Sequence, residues 1–389
     1  MVAGTGKPGR VGIDGPSTRS ELAGPSGIAV DSVGDVAVAD TGNCRVEMIP
    51  GHAGRHFGIA MKAHDLYTVA GTGCGRHSSS TKGPSVEDPT GVVFDNTGDL
   101  LIADASANRI LELPARSGRD FGVSVGAGQL TSVVGTGKAG ATVDGRTARS
   151  SLLDDPEGVA VDAAGDLYIA DTAACQVDEV PAHDQTRAGM GLVTGHLYVV
   201  AGTGVCGFSG DGGSAVKAQL WAPSAVTVDS NGDLLMADEG NSAVREIPIS
   251  TGTFYGVVIA TGDIGTVAGQ GTYSSYLNDG LSASGPVADV NYPSGIAVDS
   301  AGNLFIADSF DRSIREVAAD DSVLFGRNVK AGDMYTLAGI LAVGGVAAGD
   351  ATHWILTRVD YPYGVAAGAD GSLYFSDQGA NTVRRVAPS

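Results

Sequence analysis

The chain has 389 residues, 43% of them apolar and 17% charged, with 59 glycines, enough to bury a large core between many tight turns. Acidic residues outnumber basic ones 44 to 24, a formal net charge of −20, which argues against nucleic acid or an anionic membrane surface as a partner. No apolar run approaches the ~18 residues of a spanning helix, so no membrane insertion is expected.

The first recognisable unit starts at Pro25 and reads PSGIAVDSVGDVAVAD. It recurs from Pro89, Pro156, Pro223, Pro293 and Pro362, at spacings of 64 to 70 residues. A period of this size signals a repeat architecture, because each unit is too small to bury its own face and must stack on its neighbours. Length alone suggests two or three domains, but the repeat makes residues 1–389 a single one. Met1 is followed at once by Val-Ala-Gly-Thr-Gly, a piece of the repeat, so a trimmed leader is expected.

Within each unit an apolar run (Gly27 to Val30) leads through a turn holding Asp31, Gly34 and Asp35 to a second run (Val36 to Ala39). The runs are rich in Val and Ile and the turn has a glycine for positive φ, so the pair reads as a β-hairpin. A third run follows at Arg45 to Ile49, Arg109 to Leu113, Gln176 to Val180, Ala243 to Ile247, Ser313 to Val317 and Thr382 to Val386. It alternates apolar and polar residues, which predicts a strand with one face in water. The fourth element, Leu66 to Gly73, is matched by Leu130 to Gly137, Leu197 to Gly204, Ile264 to Gly271, Met334 to Gly339 and, at the N-terminus, Val2 to Gly6.

Six copies of four strands make six antiparallel sheets, the last of which must take its fourth strand from the start of the chain. That closes a ring without an open edge. The expected fold is all-β, a six-bladed β-propeller with blade cores near residues 25–73, 89–137, 156–204, 223–271, 293–340, and 362–389 plus 1–6. Five insertions between third and fourth strands carry Phe57-Gly58, Phe121-Gly122, Ala188-Gly189, Tyr255-Gly256 and Phe325-Gly326 at one shared position, which predicts an extra ribbon on one side of the ring. His64 stands where other insertions have Gly128, Gly195, Gly262 and Gly332, a turn position rather than a ligand position. Asp14-Gly15, Asp144-Gly145, Asp211-Gly212 and Asp279-Gly280 recur in four loops and read as turns.

The patterns Gly295 to Asp308 and Asn108 to Ile110 resemble the NHL-repeat β-propellers, over essentially the whole chain. The resemblance implies the ring fold, which hosts binding proteins and enzymes alike. The peptide-amidating lyases of this family hold zinc with histidines at the channel mouth. Here the seven histidines fall in insertions and loops, so no metal or other cofactor is expected. The RNA-binding members rely on a basic face, which this chain lacks.

Cys44 and Cys175 occupy equivalent positions at the start of the third strand in blades one and three, and Cys74 and Cys206 lie just past the fourth strand of the same blades. Neighbouring antiparallel strands bring these ends together, which favours Cys44 with Cys74 and Cys175 with Cys206. A metal site would need all four sulfurs at once, and blades one and three are not adjacent. Two disulfides imply an oxidising compartment, hence a secreted or extracellular protein.

In a propeller the innermost strand lines the channel, so the residue between Pro and Gly should stand at its mouth. Around the ring it is Ser26, Thr90, Glu157, Ser224, Ser294 and Tyr363. Glu157 is the odd member, a candidate general acid or base whose pKa a desolvated mouth would raise, with Tyr363 as partner. Its bland counterpart is a carboxylate that balances charge or bonds a loop. The six aspartates ending the second strand (Asp40, Asp104, Asp171, Asp238, Asp308, Asp377) recur in every blade and read as scaffold. Aromatics break the symmetry: the loops after the fourth strand carry none in the early blades, but Phe208, Trp221, Tyr273, Tyr276, Tyr292, Trp354 and Tyr361 in the later ones. Clustered on the mouth face they suit sugar rings or a peptide; buried, they would only support their loops.

The expected function is a secreted binding module presenting a loop-built face to an extracellular glycan, peptide or protein, as a monomer. The alternative is a lyase or hydrolase working at the mouth through Glu157, with Asp88 or Asp155 supplying the second carboxylate that glycoside hydrolysis needs.

Overall fold

The computed structural model describes residues 1–75, 84–187, 190–271, 279–285, 288–339 and 358–388. Six antiparallel sheets stand around one axis. Each unit supplies its innermost strand from the Pro-x-Gly segment (Pro-Ser-Ala in the fourth): Pro25–Val30, Pro89–Phe94, Pro156–Val161, Pro223–Val228, Pro293–Val298 and Pro362–Ala367. The second strand follows across a tight turn, and the third strands span the residues expected from the sequence. The fourth closes each blade, as Asp65–Ala70 does in the first. In the sixth blade the chain start takes this place: the Val2 N–H donates to the Val383 carbonyl at 2.8 Å and the Val383 N–H donates to Ala3 at 2.9 Å. The ring is thus closed by its own N-terminus.

The core is divided rather than central. Six apolar clusters each belong to two neighbouring blades: Leu101 and Ile110 of the second blade pack with Val159 and Ile169 of the third, and Ile28 and Val36 of the first pack with Tyr374 and Val383 of the sixth. Each sheet buries both faces, which is why its second strand reads as continuous hydrophobics. The outer edges are covered as well. Short segments ahead of four blades, such as Gly15–Pro16 and Arg146–Thr147, pair with the fourth strand. The turn that admits them has a left-handed residue, filled by Asp14, Gly145, Gly212 and Gly280, so the recurring Asp-Gly pairs are structural.

Two-stranded hairpins emerge from the five insertions. Phe57-Gly58, Phe121-Gly122, Tyr255-Gly256 and Phe325-Gly326 all have positive φ, the geometry of a two-residue turn that matches strand twist. Ala188-Gly189 lies outside the described residues. His64 has a φ of 65° and is an exposed turn residue.

One expectation fails. In the first five blades the third strands have no exposed residue, and Glu112, Asp178, Glu179, Arg245, Glu246, Arg315 and Glu316 are all at most 3% exposed; in the sixth, which has no such hairpin among the described residues, Arg385 is exposed. Neighbouring blades cover one face and the hairpins close over the other, so the alternation marks buried ion networks instead of a wet surface.

Disulfides join Cys44 to Cys74 and Cys175 to Cys206. Each ties the start of a third strand to the segment beyond the fourth and closes a loop of about 30 residues. Replacing Cys44 and Cys74 together by Ser should therefore cost on the order of 3 to 4 kcal/mol, read as a lower denaturant midpoint. An unchanged midpoint would show that this bridge carries no stability.

Candidate functional site

The six innermost strands converge so closely that their backbones touch. A Cβ on Gly27 would lie 2.3 Å from the Thr90 carbonyl, one on Gly91 2.4 Å from that of Glu157, and one on Gly295 2.2 Å from that of Tyr363. In five blades the glycine after Pro-x lets the backbones approach this closely at the axis, while the fourth blade carries Ala225 there. What remains along the axis is a cavity of about 70 Å³, lined by Thr90, Glu157, Ser224, Ser294 and Tyr363 with backbone beneath them. Ligand pockets run from roughly 300 Å³ upward, so the lumen has room for a few waters and none for a sugar ring.

Ser26, Thr90, Ser224 and Ser294 are buried and face the next blade. The Ser26 hydroxyl reaches the Thr90 carbonyl at 2.9 Å, Thr90 that of Glu157 at 3.0 Å, Ser224 that of Pro293 at 3.2 Å and Ser294 that of Tyr363 at 3.0 Å. These hydroxyls stitch blade to blade around the mouth.

Glu157 and Tyr363 break that pattern. They belong to the third and sixth blades, opposite each other in the ring, and the Tyr363 hydroxyl crosses the mouth to donate to Glu157 Oε2 at 2.8 Å. Burial pushes the Glu157 carboxyl up to about 7, and Glu239, Asp155 and Asp88 add like charge against the pull of the Tyr363 hydrogen bond. Burial likewise raises Tyr363 well above the usual phenol range, with Glu157 and Glu239 next in effect. The bar is a neutral or singly charged pair held by one proton donor.

Glu239 was not picked out from the sequence. It follows the second-strand aspartate of the fourth blade, where the other blades carry Thr41, Ala105, Thr172, Ser309 and Gln378. Thr41, Thr172 and Ser309 donate to the carbonyls of Pro89, Pro223 and Pro362 in the following blade. Glu239 offers only acceptors when ionised, and burial raises its pKa despite a hydrogen bond from Ser224. Reading that column across the repeats would have singled it out.

The rim is formed by the residues just ahead of each innermost strand. Their backbones are fixed by the recurring aspartates, each wholly buried: Asp40 accepts from the Ala23 N–H, Asp171 from Asp154, Asp238 from Trp221, Asp308 from Asn291 and Asp377 from Asp360, at 2.6 to 2.9 Å, while Asp104 takes both Glu87 and Asp88 at 2.8 Å. The residue before the proline is in most blades left-handed, as in Asp155, Ala222, Tyr292 and Tyr361, which turns the loop outward. On this common frame the rim is two-sided. Asp88 and Asp155 stand in the second and third blades, both with pKa raised by burial and then by neighbouring acids. The fourth to sixth blades present Trp221, Tyr292 and Tyr361, 54%, 42% and 43% exposed.

Phe310, 61% exposed, joins them, its ring centre 5.9 Å from that of Tyr292. Sequence reading missed it, although its column otherwise holds Gly42, Ser106, Ala173, Gly240 and Gly379. Arg312 lies 4.7 Å over the Tyr361 ring and 3.5 Å from Asp360. Phe208 is away from the rim, under Arg245 at 5.0 Å and against Gly271. Tyr273, Tyr276 and Trp354 lie outside the described residues.

A family model for the NHL repeat matches residues 22–47. Among curated proteins, teneurin-1 of Caenorhabditis elegans is 24% identical over 235 residues, 59% of this chain and 8% of that protein; the chain thus spans less than a tenth of this relative's length. Among solved structures, a Bacteroides thetaiotaomicron protein of unknown function superposes with a TM-score of 0.61 at 16% identity, over 100% of this chain and 75% of the other. An auxiliary nutrient binding protein of the same organism superposes with a TM-score of 0.58 at 12% identity, over 96% and 71%. Similarities at this level establish the ring fold.

Because burial holds Glu157 above the ordinary glutamate range, its favourable share of stability is full below about 4.5 and is lost as pH rises through about 7. Glu157→Gln cannot ionise and keeps an acceptor for Tyr363. Thermal melts should therefore coincide at about pH 4 and separate in favour of the variant at about pH 8. Melts that separate equally at both would place no titrating group here.

Proposed function

We propose that this chain, an NHL-repeat six-bladed β-propeller, is a secreted binding module whose mouth face holds an extracellular glycan, peptide or protein bearing a cationic group. The observation that carries this is the two-sided rim. Exposed aromatic faces stand beside four carboxyls, Asp88, Asp155, Glu157 and Glu239, all raised first by burial; like charge from Glu239, Asp155 and Asp88 adds to this at Glu157, and from Asp155 at Asp88. A cation placed there relieves that repulsion while an attached sugar ring or apolar side chain stacks on Trp221, Tyr292, Phe310 or Tyr361. Two disulfides support an oxidising compartment, and no helix among the described residues is long and apolar enough to cross a membrane. The fold shared with an auxiliary nutrient binding protein is compatible with a binding role, and a monomer suffices for it.

Co-sedimentation with chitosan and chitin, polymers with and without free amines, together with a lysine- and tyrosine-rich peptide in solution, tests the reading. Binding to an amine-bearing probe should fall about tenfold or more in Trp221→Ala/Tyr361→Ala, with only a small drop in melting temperature because each ring is about half exposed. Absence of binding to every probe, or binding that the double variant leaves intact, would remove the rim as the site.

The hydrogen bond between Tyr363 and Glu157 favours a second reading, general acid or base catalysis by a glutamate poised near neutrality. Soluble fragments released from a polysaccharide by the native protein, and absent with Glu157→Gln, would establish turnover. Depletion of protein without fragments would leave binding alone.

A further inference from the structure

At the end of each blade away from the mouth a second polar position recurs. The residue ahead of the second strand is Asp35, Asp99, Asp166, Asp233, Asn303 or Ser372, all buried. Facing it from the third strand is Met48, Glu112, Glu179, Glu246, Glu316 or Arg385. A buried carboxylate here needs a counterpart, and most blades supply one. In the first, Glu is replaced by Met48 and His56 of the hairpin sits 3.0 Å from Asp35. In the third, the Gln185 amide donates to Asp166 at 2.6 Å and to Glu179 at 3.2 Å. In the fifth, the aspartate has become Asn303 and Arg327 lies near Glu316, pulling against the burial that raises its pKa. In the sixth, Arg385 replaces the acid and donates to Ser372 at 2.8 Å. The fourth blade opposes two acids, Asp233 and Glu246, for which one proton is enough.

The second blade does the opposite. Where the first blade has His56, its hairpin has Asp120, a third acid beside Asp99 and Glu112. One oxygen from each of the three lies within 4.8 Å of the others, the separation at which one ion at about 2.3 to 2.6 Å can touch all three. Glu112 is 1% exposed, and no donor reaches either of its carboxyl oxygens. A proton shared between Glu112 and Asp120 would satisfy one contact and leave two carboxylates in repulsion. A dication satisfies all three.

We propose that Asp99, Glu112 and Asp120 form a divalent-cation site that ties the second hairpin to the body of its blade, with calcium as the ion. Calcium takes hard oxygen ligands in irregular cages and completes its shell with water and carbonyls, whereas magnesium demands a near-octahedral set. Asp120 is half-buried and gives the ion its way in. The site is independent of the mouth and of any ligand held there.

The full chain, stripped with chelator, is titrated with calcium chloride alone by calorimetry and by thermal melting, beside Asp120→Asn and Glu112→Gln. The expected result is a saturable isotherm of about one ion and a melting temperature that climbs with calcium. In Asp120→Asn affinity should fall at least tenfold while the calcium-free melting temperature equals or exceeds that of the native chain, since the amide then acts as Gln185 does. No isotherm and no thermal shift at millimolar calcium would overturn the proposal. So would an equal response in both variants, which would put the ion elsewhere, and a response to magnesium without one to calcium would overturn the choice of ion. Should Glu112→Gln fail to fold, Asp120→Asn decides, because its side chain is only half-buried.

Discussion

Every loop at the mouth depends on one interaction, the hydrogen bond from its backbone N–H to a wholly buried aspartate at the end of the second strand. The carboxylate is desolvated, so it must be compensated, and a backbone amide that the loop cannot otherwise satisfy provides part of that. Arginine provides the rest in several blades: Arg109 is 2.7 Å from Asp104, Arg245 3.3 Å from Asp238 and Arg315 3.7 Å from Asp308. In the third blade Asp178 stands in the column of Arg245 and Arg315, so Asp171 faces another acid and burial drives the pKa of both upward. The tether is the same in every blade while the charge around it varies, and this lets the rim differ from blade to blade on an unchanged frame.

That separation of frame from decoration explains the mouth. Five glycines and Ala225 at the axis bring six backbones into contact and leave a lumen too small for a ligand. Tyr363 then spans it to Glu157, which leaves the face above the bar as the accessible surface at this end. There the acids lie in the second to fourth blades and the exposed rings in the fourth to sixth. Under the proposed function, a ligand with charge at one end and a flat apolar group at the other would meet both halves.

The opposite end of the blades follows a similar logic with a different outcome. Hairpins fold over the third strands and bury acids that the alternation of sequence would have placed in water. Burial first, and neighbouring aspartates after it, raise Glu246 to about 8 and Glu112 to about 9. Carboxyls in this state take up a proton or a cation, and the identity of the hairpin residue, histidine, glutamine, arginine or aspartate, selects which.

By itself the sequence determined the ring, its closure by the N-terminal strand, the disulfide partners and the scaffold role of the six aspartates, because all of these are properties of a repeat compared with itself. It also singled out Glu157 and Tyr363 as odd members of one column. It did not pair them, since residues 206 apart meet only once the ring sets the third blade opposite the sixth. Glu239 and Phe310 were equally odd in their own columns, yet those columns acquire meaning only when the strand ends are seen to share the mouth with the Pro-x-Gly segment. The exposure of Trp221, Tyr292 and Tyr361, the narrowness of the lumen and the burial of the third-strand acids were decided by tertiary packing. Local pattern reports which side of a strand is polar, but only the neighbouring blade and the covering hairpin determine whether that side meets water.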